Sequence, residues 1–249
     1  LRQGPRGRGG RGSYQLSREP EITIVGMGYV GLTLAATLAD LRFTVFGYER
    51  EPAVVQRLNE GLSHIFEPGI DDILQSTIGR NLIVEQQLPQ AISGAVIICV
   101  STPVGADQTP DLANLRAATT AVAEAATEGT LVIVRSTVPV GTCRDVVLPI
   151  LESQKKGLHL ASCPERTIQG RAIAELRNLP QVVGGADEVS ASLAIKLWEQ
   201  VTEQVVTVES FETAELVKLV NNCHTDLIYS FGNEVAMMAQ QYQLDPMEV

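Results

Sequence analysis

Apolar residues along this chain fall into two rhythms. Mainly apolar runs occupy 22–25, 43–46, 82–85, 95–100, 131–136 and 158–162. Between them lie stretches with apolar positions three and four apart, at 32–41, 52–59, 70–76, 111–127 and 141–151, and a further strand–helix–strand set spans 181–208. Mainly apolar runs of this length are strands covered on both faces, and the helical stretches supply the crossovers that cover them. The pattern predicts an α/β fold, a doubly wound, Rossmann-like parallel sheet of more than six strands. From 212 to about 244 the rhythm becomes that of one long helix, with Leu216, Leu219, Cys223, Leu227, Phe231, Val235 and Met238 in one stripe. At 1.5 Å per residue it extends roughly 45 to 50 Å, more than a sheet-covering helix needs. Such a rod calls for a partner, either a second domain or a second subunit, and the chain reads as cut before the partner domain.

The first strand runs straight into a glycine turn. Residues 21–31 read E-I-T-I-V-G-M-G-Y-V-G, which places Gly26, Gly28 and Gly31 at G-x-G-x-x-G spacing between a strand and a helix. That arrangement predicts a dinucleotide site: Gly26 for the tight turn, Gly28 for close approach of the diphosphate, and Gly31 for close packing of helix on strand. The second apolar run ends at Glu49, close to the ~20 residues downstream where a ribose-binding acid belongs. A carboxylate there favours NAD over NADP, and Arg50 beside it weakens that preference slightly.

Composition narrows the partners. The chain has 249 residues, 45% of them apolar, enough for a packed core, and a formal net charge of −10. Residues 1–19 are rich in glycine and arginine and nearly free of apolar side chains, so they are expected to form a disordered basic tail. The remainder is strongly acidic, which argues against general binding to nucleic acid. No apolar run approaches the ~20 residues of a membrane helix, and no signal segment opens the chain, so a cytoplasmic location is expected. Cys99, Cys143, Cys163 and Cys223, and His64, His159 and His224, lack metal-ligand or disulfide spacing. The expected domains are the 1–19 tail, a cofactor domain at 20–210, and a connecting helix at 211–249.

Three further groups carry candidate chemistry. Ser101-Thr102-Pro103 and Ser136-Thr137-Val138-Pro139 each follow a strand, at the sheet edge where ligands bind; either pair is equally an N-cap for the next helix. Glu165 and Arg166 close another strand, as a surface ion pair or as a general base beside an anion clamp. Lys218 and Asn222 share a helix face, as a solvated stripe or as a pair stabilising a developing oxyanion.

Taken together, G-M-G-Y-V-G-L at 26–32, I-F-E-P-G at 65–69, V-S-T-P at 100–103, S-T-V-P-V-G-T at 136–142, P-E-R-T-I-Q-G at 164–170 and E-L-V-K-L-V-N-N at 215–222 resemble the UDP-glucose/GDP-mannose dehydrogenase family, in colinear order over 21–249. The resemblance implies NAD-linked, two-step oxidation of a nucleotide sugar at C6 through an enzyme thioester. The P-E-R segment is most similar to members acting on UDP-N-acetylhexosamines, UDP-N-acetyl-D-mannosamine in particular. It further implies that Lys218 stabilises an oxyanion with Asn222, that Glu165 is a general base or water-positioning acid, and that Thr137 holds a catalytic water. Gly26, Gly28, Tyr29, Val30, Gly31, Glu49, Val100, Ser101, Thr102, Ser136 and Thr137 would bind NAD. Glu165, Arg166, Lys218 and Asn222 would face the substrate, and the long helix would form a homodimer. The family's nucleophilic cysteine lies in a G-x-C-x-P-x-D segment beyond the long helix, and residues 1–249 contain no such segment; Cys143, in G-T-C-R, reads as structural, and buried packing is expected for Cys163 and Cys223. The chain is therefore expected to bind NAD without turning over. Two other readings remain: a 3-hydroxyacid dehydrogenase, which also joins a dinucleotide fold to a helical lysine–asparagine pair, and a non-catalytic NAD-binding or subunit-interaction module.

Overall fold

A computed structural model describes residues 21–249; the predicted tail at 1–19 lies outside the described residues. Eight strands form one sheet in the order β3-β2-β1-β4-β5-β6-β7-β8. They are β1 (Ile22–Val25), β2 (Val45–Tyr48), β3 (Leu82–Glu85), β4 (Ala95–Ile98), β5 (Leu131–Val134), β6 (His159–Ser162), β7 (Gln181–Gly185) and β8 (Val205–Val208). Strands β1 to β6 are parallel, with Ile22 in register with both Val45 and Ala95. The predicted doubly wound parallel sheet is present, with one reversal at an edge. β7 pairs antiparallel with β6, and β8 runs parallel to β7. Hydrophobic runs report burial and not direction, so the reversal had no signal in the pattern.

Side chains alternate across the sheet into two cores, as strand geometry requires. Ile22, Ile24, Val45, Leu82, Ile97 and Ile133 point to one face, covered by α1 (Tyr29–Asp40), α3 (Ile70–Thr77), α6 (Ala172–Asn178) and α7 (Glu188–Trp198). Val25, Val96, Ile98, Val132 and Val134 point to the other, under α4 (Ala113–Ala125) and α5 (Leu148–Ser153). α2 (Pro52–Asn59) flanks β3. All four residues of β1, β4 and β5 are buried, which is what an apolar run without alternation encodes.

Two local features depart from the sequence expectation. The helix expected at 141–151 opens as a five-residue π-turn, Cys143–Val147, before α5 begins. Helix α6 was not predicted, and its N-cap, Arg171, makes no side-chain cap hydrogen bond. A carboxylate from far away in sequence serves that end instead, as described below.

The last helix, α8 (Phe211–Gln241), is 31 residues long and starts on a Ser210 cap that accepts from the Thr213 N–H at 3.2 Å. Its first turns lie against the sheet with Phe211, Ala214 and Glu215 buried. Beyond Asn222 nearly every side chain is exposed, Leu227 and Phe231 at 67% each. The predicted apolar stripe is therefore present and uncovered. No helix among the described residues is long and apolar enough to cross a membrane.

Candidate functional site

The strand order reverses direction between β1 and β4, and the crevice beyond their carboxyl ends is the place where a doubly wound sheet takes a ligand. A cavity of about 300 Å³ opens there, lined among others by Gly26, Gly28, Glu49, Arg50, Val100, Ser101 and Asn114. Gly26 holds φ at +92°, a left-handed backbone that turns the chain out of β1. A methyl on Gly31 would lie 1.8 Å from the Gly26 carbonyl oxygen, so only glycine lets α1 seat against the turn. A methyl on Gly28 meets nothing within 4 Å, so the backbone there borders open space. The first helical bond runs from the Leu32 N–H to the Gly28 carbonyl at 2.8 Å. It leaves the N–H groups of Tyr29, Val30 and Gly31 outside the helical ladder, at the helix end that favours an anion.

Glu49 lies at the end of β2, where the fingerprint predicts the acid. Oε2 accepts the Met27 N–H at 2.9 Å and Oε1 the Glu51 N–H at 3.0 Å. Each oxygen keeps a further lone pair for ribose hydroxyls. Arg50 donates to Asn114 Oδ1 at 3.2 Å, and Asn114 Nδ2 donates to the Ser101 hydroxyl oxygen at 3.2 Å, so these three residues span the crevice wall. Asn114 sits in an otherwise alanine-rich helix, a signal that sequence reading passed over. The residues present fit a dinucleotide: helix-end donors and open backbone for the diphosphate, and a carboxylate for the ribose.

The serine–threonine pairs join the loops after β4 and β5. Thr102 Oγ1 donates to the Thr137 carbonyl at 2.6 Å, and Ser136 Oγ donates to the Val100 carbonyl at 2.6 Å. Neither pair caps its following helix. Their hydroxyls stitch the crevice rim and keep acceptor lone pairs for a ligand.

A buried charge cluster occupies the neighbouring rim. Arg135, fully buried, places Nε and Nη2 on Glu165 Oε2 at 2.9 and 2.6 Å. Its Nη1 reaches Gln181 Oε1 at 3.0 Å, and its guanidinium lies 4.5 Å from the Trp198 ring centroid. Glu165 Oε1 accepts the N–H groups of Arg166 and Thr167 at 2.6 and 2.7 Å. Burial pushes the Glu165 carboxyl up, but the Arg135 charge and these donors outweigh it and hold the group below its ordinary value of 4.5. With four donors in place, its lone pairs are committed. Glu165 is thus a buried ion-pair partner of Arg135, and the surface ion pair with Arg166 is corrected. Arg166 bridges elsewhere, to the Pro180 carbonyl at 3.2 Å and Asn221 Oδ1 at 3.5 Å.

Helix α8 is aimed by Glu215. Its two carboxylate oxygens accept the Gly141 and Cys143 N–H groups at 2.6 and 2.8 Å, capping the π-turn. Arg144 reinforces the joint with Glu212, Nε to Oε1 at 2.5 Å. Lys218, three residues after Glu215, falls on the same helix face. It is half-buried; burial lowers its pKa below the ordinary 10.5 while Glu165 opposes that shift. Asn222, one turn further on, is exposed, and Asn221 rather than Asn222 contacts Arg166.

Tyr29 opens α1, and its hydroxyl donates to Glu67, of the I-F-E-P-G segment. The Gly170 N–H donates to both Tyr29 Oη and Glu67 Oε2, each at 2.9 Å, and the Ile173 N–H to Glu67 Oε1 at 3.3 Å. Glu67 thus caps α6 from over a hundred residues away in sequence. The Tyr29 hydroxyl is thus engaged by Glu67 and Gly170, while its backbone N–H stays at the open end of α1.

Cys99, Cys143 and Cys163 are buried, and desolvation pushes all three thiols up, Cys99 and Cys163 to about 12. Cys143 is structural in its packing, as expected. Cys223 corrects the expectation of burial: it is exposed on the part of α8 that has left the sheet.

Glycine turn, ribose acid and switch-point crevice define a nucleotide-cofactor domain of the dehydrogenase type. Residues 20–202 match the NAD binding domain of the UDP-glucose/GDP-mannose dehydrogenase family, and the chain belongs to that family. It is 35% identical to the UDP-N-acetyl-D-mannosamine dehydrogenase of Pyrococcus horikoshii over 91% of this chain and 56% of that protein. A solved structure of UDP-D-ManNAc dehydrogenase from the same organism superposes with a TM-score of 0.84 at 34% identity, again over 91% of this chain and 56% of that one. A UDP-glucose dehydrogenase from Pyrobaculum islandicum gives 0.84 at 32% identity over 98% and 56%. GDP-mannose dehydrogenase from Pseudomonas aeruginosa gives 0.84 at 27% over 92% and 55%. The chain spans little more than half the length of these relatives. NAD is the cofactor that the family defines for this domain.

Proposed function

We propose that the chain forms the cofactor half of a dehydrogenase that oxidises C6 of a UDP-N-acetylhexosamine, of the UDP-N-acetyl-D-mannosamine type, from alcohol through aldehyde to carboxylate. A dinucleotide held by the glycine turn and Glu49 would supply the hydride acceptor, one NAD for each of the two oxidations. The observation that carries the reading is Lys218, half-buried on the anchored start of α8 and held in the field of Glu165. An ammonium there stabilises negative charge on the C6 oxygen as its proton leaves. Asn222, exposed one turn on, is assigned to support it, and Thr137 to hold the water. Glu165 is assigned its expected role of general base or water-positioning acid; it takes up a proton or a water by releasing one of its four donors. Arg166 faces the substrate beside it. None of the three buried thiols fits a thioester nucleophile.

The names of the relatives and the P-E-R sequence at 164–166 support the sugar class. The uncovered face of α8 supports a homodimer built through that helix. The test is turnover by this chain extended with the C-terminal part of a relative that carries the thioester cysteine, with NAD and, separately, UDP-N-acetyl-D-mannosamine, UDP-glucose, GDP-mannose and a 3-hydroxyacid. The reading predicts two NADH per UDP-N-acetylhexosamine. Oxidation of the hydroxyacid alone, or one NADH per sugar, would overturn it.

A further inference from the structure

The segment between β6 and α6 carries Glu165 and Arg166 and has no regular structure of its own from Cys163 to Gln169. It is pinned near one end by Arg135, through Glu165, and at the other by Glu67, through Gly170 and Ile173. Between the pins Ile168 is 56% exposed. Arg135 belongs to the sheet core. Glu67 does not: it arrives from the loop before α3, and it reaches the segment jointly with the hydroxyl of Tyr29. Tyr29 is also the first residue of α1, whose free N–H group borders the diphosphate position.

We infer that Glu67 is a positioning residue: with the Tyr29 hydroxyl it ties the 164–171 loop to the glycine turn, so that seating the dinucleotide and ordering the substrate-facing loop become one event. Three observations carry it. Glu67 is 5% exposed and has no cationic partner among the described residues, so its carboxylate is satisfied by the phenol and two N–H groups. Burying a carboxylate without a cation is costly, and a cap for the seven-residue α6 needed only a local serine or aspartate. Finally, the Gly170 N–H is shared between Glu67 and Tyr29, so the loop cannot shift without disturbing the residue that opens α1. Desolvation, then the Glu67 hydrogen bond, pushes the Tyr29 phenol up to about 12, and the hydroxyl therefore stays a donor throughout the neutral range. Rigid coupling of this kind transmits binding at one loop as protection at another.

This inference rests on the proposed dinucleotide site, and the experiment separates the two. Hydrogen exchange is followed by mass spectrometry on the 249-residue chain with and without NADH, for the natural sequence, Glu67→Ala, Glu67→Gln and Tyr29→Phe. In the natural sequence NADH slows exchange about tenfold both at 22–34 and at 166–173. In Glu67→Ala protection persists at 22–34 and vanishes at 166–173. Glu67→Gln, whose amide oxygen still accepts from Gly170, restores part of it. If Glu67→Ala fails to fold, Tyr29→Phe serves, with at least a twofold loss of protection confined to 166–173. Equal protection of 166–173 in the variants overturns the inference, as does protection of 22–34 alone in the natural sequence. No protection anywhere in the natural sequence overturns the dinucleotide site itself and the inference with it.

Discussion

Arg135 and Glu165 meet inside the protein, two guanidinium nitrogens on one carboxylate oxygen at 2.9 and 2.6 Å, the Arg135 side chain fully buried and that of Glu165 8% exposed. Removing one member leaves the other as an uncompensated buried charge, which costs about 3–5 kcal/mol. Glu165→Gln should therefore lower the urea midpoint markedly at neutral pH. Retention of natural stability would mean that the pair is not closed in solution.

The same pair predicts an acid limb in stability. The folded pKa of Glu165 lies below its ordinary value of 4.5, so the unfolded chain binds the proton first. The contribution is full above about pH 5 and is lost as the pH falls through 4.5 to the lower folded value. Urea titrations between neutral pH and pH 3 should show this loss in the natural protein. Glu165→Gln should show a shallower fall over the same interval. Parallel curves would remove Glu165 from the account.

Much of this architecture is written locally. The runs at 22–25, 82–85 and 131–136 coincide with buried strands, and the glycine turn, Glu49 and the long helix lie where periodicity and spacing placed them. What was hidden depends on residues distant in sequence. Helix α6 is short and capped by Glu67, the π-turn by Glu215, and Glu165 by Arg135. No window of local sequence contains both members of any of these pairs. Arg135 did leave a trace, as a lone charge at the end of the apolar run L-V-I-V. The direction of β7 left none.

Gly31 separates packing from binding. A methyl there overlaps the Gly26 carbonyl at 1.8 Å, so the turn or the helix must move. Gly31→Ala should destabilise the protein by about 1–3 kcal/mol, in the range of other overpacked core sites. Thermal melts without ligand check this, and an unchanged melting temperature would show that α1 seats differently from the geometry described.

Exposed apolar residues on α8 should report its partner. Leu227 and Phe231 are each 67% exposed and one turn apart. If this face joins two copies, sedimentation velocity gives a dimer for the natural chain and a monomer for the Leu227→Glu, Phe231→Glu double variant, both folded by circular dichroism. A natural chain that is monomeric at ~100 μM, where obligate helical dimers remain assembled, would argue against a homodimeric role for the helix.

A dinucleotide lying against Gly28 is what the crevice beyond β1 and β4 is built to hold. Calorimetric titration of the natural chain and of Gly28→Val with NADH measures this directly, since the space beside Gly28 is open and the variant should fold with its melting temperature nearly unchanged. The predicted result is one NADH per natural chain and at least about tenfold weaker binding by the variant, roughly 1.4 kcal/mol. Equal uptake by both proteins, or none by the natural chain at about millimolar NADH, a bound of roughly 4 kcal/mol, would contradict it.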